Sequence, residues 1–149
     1  MIKQILVALD GSKHANKALN LAFDVAEKYS ANITLLSVLH FPPMAMTAVG
    51  MEGLVLVRLD QYMKELRKDH EEILSVALKR AKNTNPNLKV SKMLIEGRPA
   101  DKIVETAKEG KFDILFMGSR GLGAIKEFFL GSVSHQVADE APCPVVIVK

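Results

Sequence analysis

Phe112-Asp113-Ile114-Leu115-Phe116 runs into Met117-Gly118-Ser119-Arg120-Gly121-Leu122-Gly123, and Leu130-Gly131-Ser132-Val133-Ser134 follows a few residues later. The first run is short and apolar and reads as a buried strand. It empties into small residues, and Ser132 opens a run of helical character. Between the two segments the glycines fall as G-x2-G-x9-G-S, at Gly118, Gly121, Gly131 and Ser132. A strand that ends in small residues exposes backbone N–H groups. A helix N-terminus adds the positive end of its dipole, and together they hold phosphates. The pattern therefore implies strands alternating with helices and a nucleotide site at a strand's C-terminal end.

The same grammar recurs along the chain. Ile5-Leu6-Val7-Ala8-Leu9 is an apolar run bounded by Asp10-Gly11-Ser12, a strand meeting a turn, with Ser12 placed to cap a helix. Ala15, Ala18, Leu19, Ala22, Val25, Ala26 and Tyr29 then recur at helical spacing. Ile33 to Leu39 reads as a second buried strand. A long helix is expected from about Leu54 to Lys82, with Leu59, Tyr62, Met63, Leu66, Ile73, Leu74, Ala77, Leu78 and Ala81 as its apolar stripe. Leu88 to Ile95 alternates more than the other strands, which fits a sheet edge. Pro99 suits the first turn of a short helix through Ile103, Val104 and Ala107. A last helix near Ser132–Glu140 is stopped by Pro142-Cys143-Pro144, and Val145 to Val148 is the final strand.

Five strands alternating with four helical segments predict one α/β domain over residues 1–149, built on an open, doubly wound parallel sheet. Continuous apolar strands of this kind are covered on both faces. Ligands in such sheets sit outside the strands' carboxyl ends, where the strand order reverses. Asp10, Val38 and Gly118 all stand at such ends.

Composition narrows the function. Of 149 residues, 48% are hydrophobic and 25% charged, and 20 basic against 17 acidic groups give a net charge of +3. That excess is dispersed and there is no Trp, so nucleic acid is not expected as a partner. One cysteine, Cys143, excludes an internal disulfide and suits a reducing compartment. No apolar stretch approaches the roughly 20 residues of a membrane span. The N-terminus lacks the build of a signal peptide, so a cytoplasmic location is expected. His14, His40, His70 and His135 show no metal-ligand spacing with Cys143 or paired carboxylates. Cys143 reads as a packed thiol rather than a nucleophile.

The glycine pattern is neither a Walker loop nor the dinucleotide fingerprint, which would follow the first strand. Together with Val7-Ala8-Leu9-Asp10-Gly11-Ser12 and Pro142-Cys143-Pro144-Val145-Val146-Ile147-Val148, it resembles the universal stress protein family, ATP-binding branch, over essentially the whole chain. The resemblance implies a Rossmann-like sheet of order 3-2-1-4-5 and a homodimer formed through Val145–Val148. It also implies ATP, ADP or AMP as ligand, with Mg²⁺. On that basis Gly118, Gly121, Gly131 and Ser132 would line the phosphates. The backbone of Met117, Ser119, Arg120, Leu122, Gly123, Ala124, Val133 and Ser134 would complete the cradle. Asp10 would reach the ribose or Mg²⁺, and Ala8, Leu9 and Val38 would border the adenine, Val38 through its backbone.

Side chains at Gly118 or Gly121 would push a phosphate away. Asp10 has a second reading as a turn residue, Ser132 and Ser134 as cap and first-turn residues of the last helix, and Arg120 and Lys126 as solvated charges. The expected role is a stress sensor or regulator whose nucleotide state sets conformation or assembly. Two alternatives stand beside it. One is a nucleotide-free dimeric module that meets an unknown protein through the methionine-rich loop 41–52. The other is an enzyme, a slow ATPase or a group transferase, although no residue is evident to orient an attacking water.

Overall fold

The computed structural model describes residues 1–41, 53–122 and 130–149. Along them run β1 (Gln4–Ala8), α1 (Lys13–Tyr29), β2 (Asn32–Leu39), α2 (Gly53–Thr84), β3 (Val90–Glu96), α3 (Pro99–Glu109), β4 (Ile114–Gly118), α4 (Ser132–Glu140) and β5 (Val145–Val148). The five strands form one sheet of order β3-β2-β1-β4-β5, with every neighbouring pair parallel. This is the Rossmann-like, doubly wound order expected from the sequence. The chain builds outward from β1 through β2 to β3, then returns to lay β4 and β5 on the other side. The order therefore reverses between β1 and β4.

Alternation along each strand assigns side chains to the two faces. Ile5, Val7, Ile33, Leu35 and Phe116 meet Ala18, Leu19, Ala22, Phe23, Leu74 and Ala77 of α1 and α2 on one face. Leu6, Ala8, Leu36, Val38, Leu115 and Met117 meet Ala100, Ile103, Ala107 and Val137 of α3 and α4 on the other. With both faces covered, the inner strands β1, β2 and β4 are mostly apolar. β3 is an edge strand, as its alternation implied, and Met93 on it is 40% exposed.

Local chemistry sets the element ends. Ser12 caps α1, its Oγ accepting the Ala15 N–H at 3.1 Å. Ser30 closes the same helix in the left-handed region at φ 53°. Pro99 opens α3 in its first turn. Asp113, expected inside a strand, lies ahead of β4 because its carboxylate accepts the Lys3 and Gln4 N–H groups at 2.7 and 2.9 Å. Those two bonds, with burial opposing, hold its pKa below the ordinary value.

Two apolar expectations need correction. Tyr29 is 43% exposed at the end of α1 rather than inside the core. On α2 only Leu74, Ala77 and Ala81 are buried, while Tyr62 is 48% exposed. The reason is length: 32 residues of helix span about 48 Å, roughly twice the reach of the seven-residue β3. The first half of α2 thus extends past the sheet's C-terminal edge. Of the methionine-rich loop expected at residues 41–52, residues 42–52 lie outside the described residues.

Candidate functional site

Where the strand order reverses, the C-terminal ends of β1, β2 and β4 enclose a cleft of about 360 Å³. That is within the range of small-molecule and cofactor sites. The expected residues Ala8, Leu9, Asp10, Val38, Met117, Gly118, Ser119, Arg120, Gly121, Gly131, Ser132, Val133 and Ser134 all line it. Leu122 does not: its side chain is 77% exposed. Gly123, Ala124 and Lys126 lie outside the described residues.

Four further lining residues, Ala15, Leu36, Pro99 and Ile103, were not among the expected site residues. Leu36 was within reach of it, because two residues along a strand share a face with Val38. Pro99 and Ile103 come from α3, whose approach to this edge depends on the crossover from β3. One wall is accordingly apolar, built from Ala8, Leu36, Val38, Ile103 and Met117, and the other carries the glycine segments.

The second wall is held from both sides. Ser119 donates its N–H to the Val148 carbonyl at 2.8 Å and accepts the Gly131 N–H at 2.8 Å. Its carbonyl also accepts the Ser134 hydroxyl at 2.9 Å. From below, the Ser12 hydroxyl donates to the Arg120 carbonyl at 3.2 Å, and His14 Nδ1 lies 2.8 Å from Ser119 Oγ. These bonds correct part of the expected cradle. The N–H groups of Ser119 and Gly131 are engaged inside the protein and are not donors to a ligand.

The glycines differ in what they accommodate. A Cβ on Gly118 would stand 2.6 Å from the Ala15 backbone N and 2.9 Å from the His14 carbonyl carbon. Glycine there admits the first turn of α1 against β4, which is a packing reason rather than the phosphate reason expected. A Cβ on Gly121 would meet Asp10 Oδ2 at 2.8 Å. On Gly131 it would meet nothing closer than the Ser119 carbonyl oxygen at 3.4 Å.

Gly131 rather than Ser132 is the N-cap of α4, at φ −60° and ψ 158° with no side-chain cap. The N–H groups of Ser132, Val133 and Ser134 have no carbonyl four residues back within the helix. These three residues line the cleft at the positive end of the helix dipole.

Asp10 shows its turn reading directly, since Oδ1 accepts the Ser12 N–H at 2.9 Å. It is also the one carboxylate among the described residues that line the cleft. No group of three His, Cys, Asp or Glu side chains suited to a metal ion occurs among the described residues.

Behind the apolar wall, Ser37 Oγ donates to the Leu9 carbonyl at 2.8 Å and lies 2.7 Å from His70 Nδ1 of α2. Burial lowers the His70 pKa, against the charges of Asp69 and Asp10. Burial raises that of Cys143, with the Asp113 charge acting the same way. That thiol is half-buried and poorly suited to act as a nucleophile, as expected. No described helix is long and apolar enough to cross a membrane.

A family model described as "Universal stress protein family" matches residues 1–149. The chain is similar to universal stress protein YxiE of Bacillus subtilis (strain 168), 35% identical over 153 residues that cover 100% of both proteins. Its fold is similar to that of the universal stress protein UspA from Lactobacillus plantarum, with a TM-score of 0.83 at 21% identity over 99% of this chain and 98% of that one. A universal stress protein solved in complex with cAMP gives a TM-score of 0.72 at 25% identity, over 99% and 97% of the two chains.

Proposed function

The chain belongs to the universal stress protein family, and from that premise we propose that its cleft binds an adenine nucleotide whose presence sets conformation or assembly. The observation that carries this reading is the joining of two unlike walls around about 360 Å³. One is apolar and suits a flat base. The other joins the Gly121 backbone to the first turn of α4, which has no side-chain cap, and suits phosphates. The relative solved with cAMP supports the ligand class.

In this reading the base lies against Ala8, Leu36, Val38, Ile103 and Met117. Asp10, with Oδ1 committed to Ser12, turns Oδ2 toward Gly121 and the ribose or a phosphate-bound Mg²⁺ ion. ATP with Mg²⁺ is the fullest occupant, and ADP or AMP engages fewer of the same groups. The described lining holds one carboxylate and no histidine, so nothing in it is arranged to orient water for rapid hydrolysis. The single domain acts as a cytoplasmic sensor or regulator rather than as a fast enzyme.

A second copy pairs along the free edge of β5. Val148→Asp should then convert dimers to monomers in sedimentation, and an unchanged dimer would remove this edge from the interface.

The direct test is to denature freshly purified protein, identify any released nucleotide by mass, and titrate the emptied protein with ATP, ADP and AMP. Binding of at least one of them is expected. Absence of binding by all three at millimolar concentration would overturn the reading.

A further inference from the structure

We propose that Ser37 and His70 form a positioning pair that reserves the Val38 backbone for the base of the bound nucleotide, an inference that rests on the nucleotide reading above. The ladder between β1 and β2 has its last rung where the Leu9 N–H donates to the Leu36 carbonyl at 2.8 Å. A continued parallel ladder would next take the Val38 N–H to the Leu9 carbonyl. Among the described residues that bond is not formed. The Leu9 carbonyl instead accepts the Ser37 hydroxyl at 2.8 Å.

Hydrogen-bond accounting fixes the direction of the next link. A serine hydroxyl has one proton, and a carbonyl only accepts. Ser37 therefore gives its proton to Leu9 and must receive one from His70, whose Nδ1 lies 2.7 Å away. Ser37 is 1% exposed, so no water substitutes for either partner. Burial lowers the His70 pKa, which suits a neutral Nδ1–H donor.

The consequence falls on the next residue of β2. Backbone groups repeat every two residues along a strand. The Val38 N–H and C=O thus point the way those of Leu36 do, toward β1, but beyond its end at Ala8. Leu9 and Val38 both border the cleft there. One donor beside one acceptor matches the ring N1 and the 6-amino group of adenine. Guanine presents a donor at N1 and an acceptor at O6, the reverse order. Selection of adenine then comes from a ladder stopped one rung early, and Ser37 and His70 are what stop it.

The test has two arms. In the nucleotide-free wild-type protein, amide hydrogen exchange by NMR should show Val38 exchanging at least tenfold faster than Leu9. In Ser37→Ala the ladder closes and that difference disappears. Equal protection of Val38 and Leu9 in the wild type would overturn the proposal without any variant having to fold and without any nucleotide.

The second arm titrates AMP against 1-deaza-AMP, which replaces ring N1 by C–H. The wild type should prefer AMP by about tenfold, the weight of one well-made hydrogen bond. Ser37→Ala and His70→Leu should reduce the preference to within about twofold, and His70→Asn, which keeps an N–H near the Nδ1 position, should restore it. An undiminished preference in Ser37→Ala would overturn the pair's role. Failure of AMP to bind the wild type would overturn the nucleotide reading and, with it, the base as the reserved partner, while the exchange arm judges the stopped ladder by itself.

Discussion

Helices α1 and α4 both open on the C-terminal edge of the sheet, and both begin at the same cleft, yet they treat their first-turn donors differently. At α1, Ser12 accepts the Ala15 N–H at 3.1 Å and passes its own proton to the Arg120 carbonyl at 3.2 Å. At α4, Gly131 has no side chain to cap with. The Ser134 hydroxyl turns back to the Ser119 and Gly131 carbonyls at 2.9 and 3.0 Å. The two dipoles point alike, but at α1 the cap answers the Ala15 donor and its hydroxyl holds the loop after β4, whereas the first turn of α4 has no side-chain cap. A helix N-terminus becomes an anion site through what its cap withholds.

The largest test of this contrast compares two glycines. Gly118→Val drives a side chain into the α1 backbone, where even a Cβ would stand at 2.6 Å. We expect a loss of about 3 kcal/mol or more in chemical denaturation, at the upper end of overpacking. Gly131→Ala, with its nearest contact at 3.4 Å and φ −60°, should change stability by no more than about 0.5 kcal/mol. Equal costs would mean that α4 is packed as tightly as α1 and the contrast is false.

Next in size is a change of affinity. Gly131→Asp supplies the missing cap, so the fold should gain a few tenths of a kcal/mol in thermal melts. The new carboxylate occupies the first turn and repels phosphate, so ATP should bind at least tenfold more weakly by calorimetric titration. Gly121→Val should weaken ATP to a similar degree with the fold retained, because its side chain enters the space shared with Asp10. Unchanged affinity in Gly131→Asp would remove α4 from the phosphate site.

How much of this contrast was legible in the chain depends on its range. Sheet order and strand placement followed from the apolar runs and from the resemblance of the glycine segments. Most cleft residues also followed, since strand ends such as Asp10 and Val38 converge by topology alone. The distinct reasons for the glycines did not follow. Gly118 and Gly131 look alike in sequence, and only the approach of α1 to within 2.6 Å of one of them separates their roles.

Capture of the Ser119 N–H by Val148 was equally hidden, because it joins a loop to a strand nearly thirty residues later. Pro99 and Ile103 were missed for the same cause: they reach the site through a crossover, not through a motif. Ser37 carried a weak signal, as a hydroxyl within the apolar second half of β2, and its meaning needed His70 from α2.

A smaller effect belongs to the capped terminus. Ser12→Ala removes both the cap and the bond to Arg120, and we expect a loss of about 1 kcal/mol in stability. ATP affinity should fall less than in Gly131→Asp, because the donors released at α1 lie behind the loop rather than in front of it. A larger fall in Ser12→Ala than in Gly131→Asp would reverse the assignment of the two helices.

The smallest expected effect comes from His70, which hydrogen-bonds Ser37 behind β2 and reaches neither helix terminus through the bonds described. Burial lowers its pKa from 6.5, so between the folded value and 6.5 the unfolded chain binds more protons than the folded one. Stability is therefore full above about pH 6.5 and declines as pH falls through that window. His70→Asn keeps an N–H donor but does not titrate, so the slope of stability against pH should flatten there. The slope carried by Asp113, whose pKa is lowered by its backbone bonds to Lys3 and Gln4, lies further into acid and should persist in the variant. Because His70 is not part of either cap, its pH slope should add to the effects of Ser12→Ala and Gly131→Asp without coupling. A coupled slope, seen in denaturation series across pH on the double variants, would show that the base wall and the two helix termini respond as one unit.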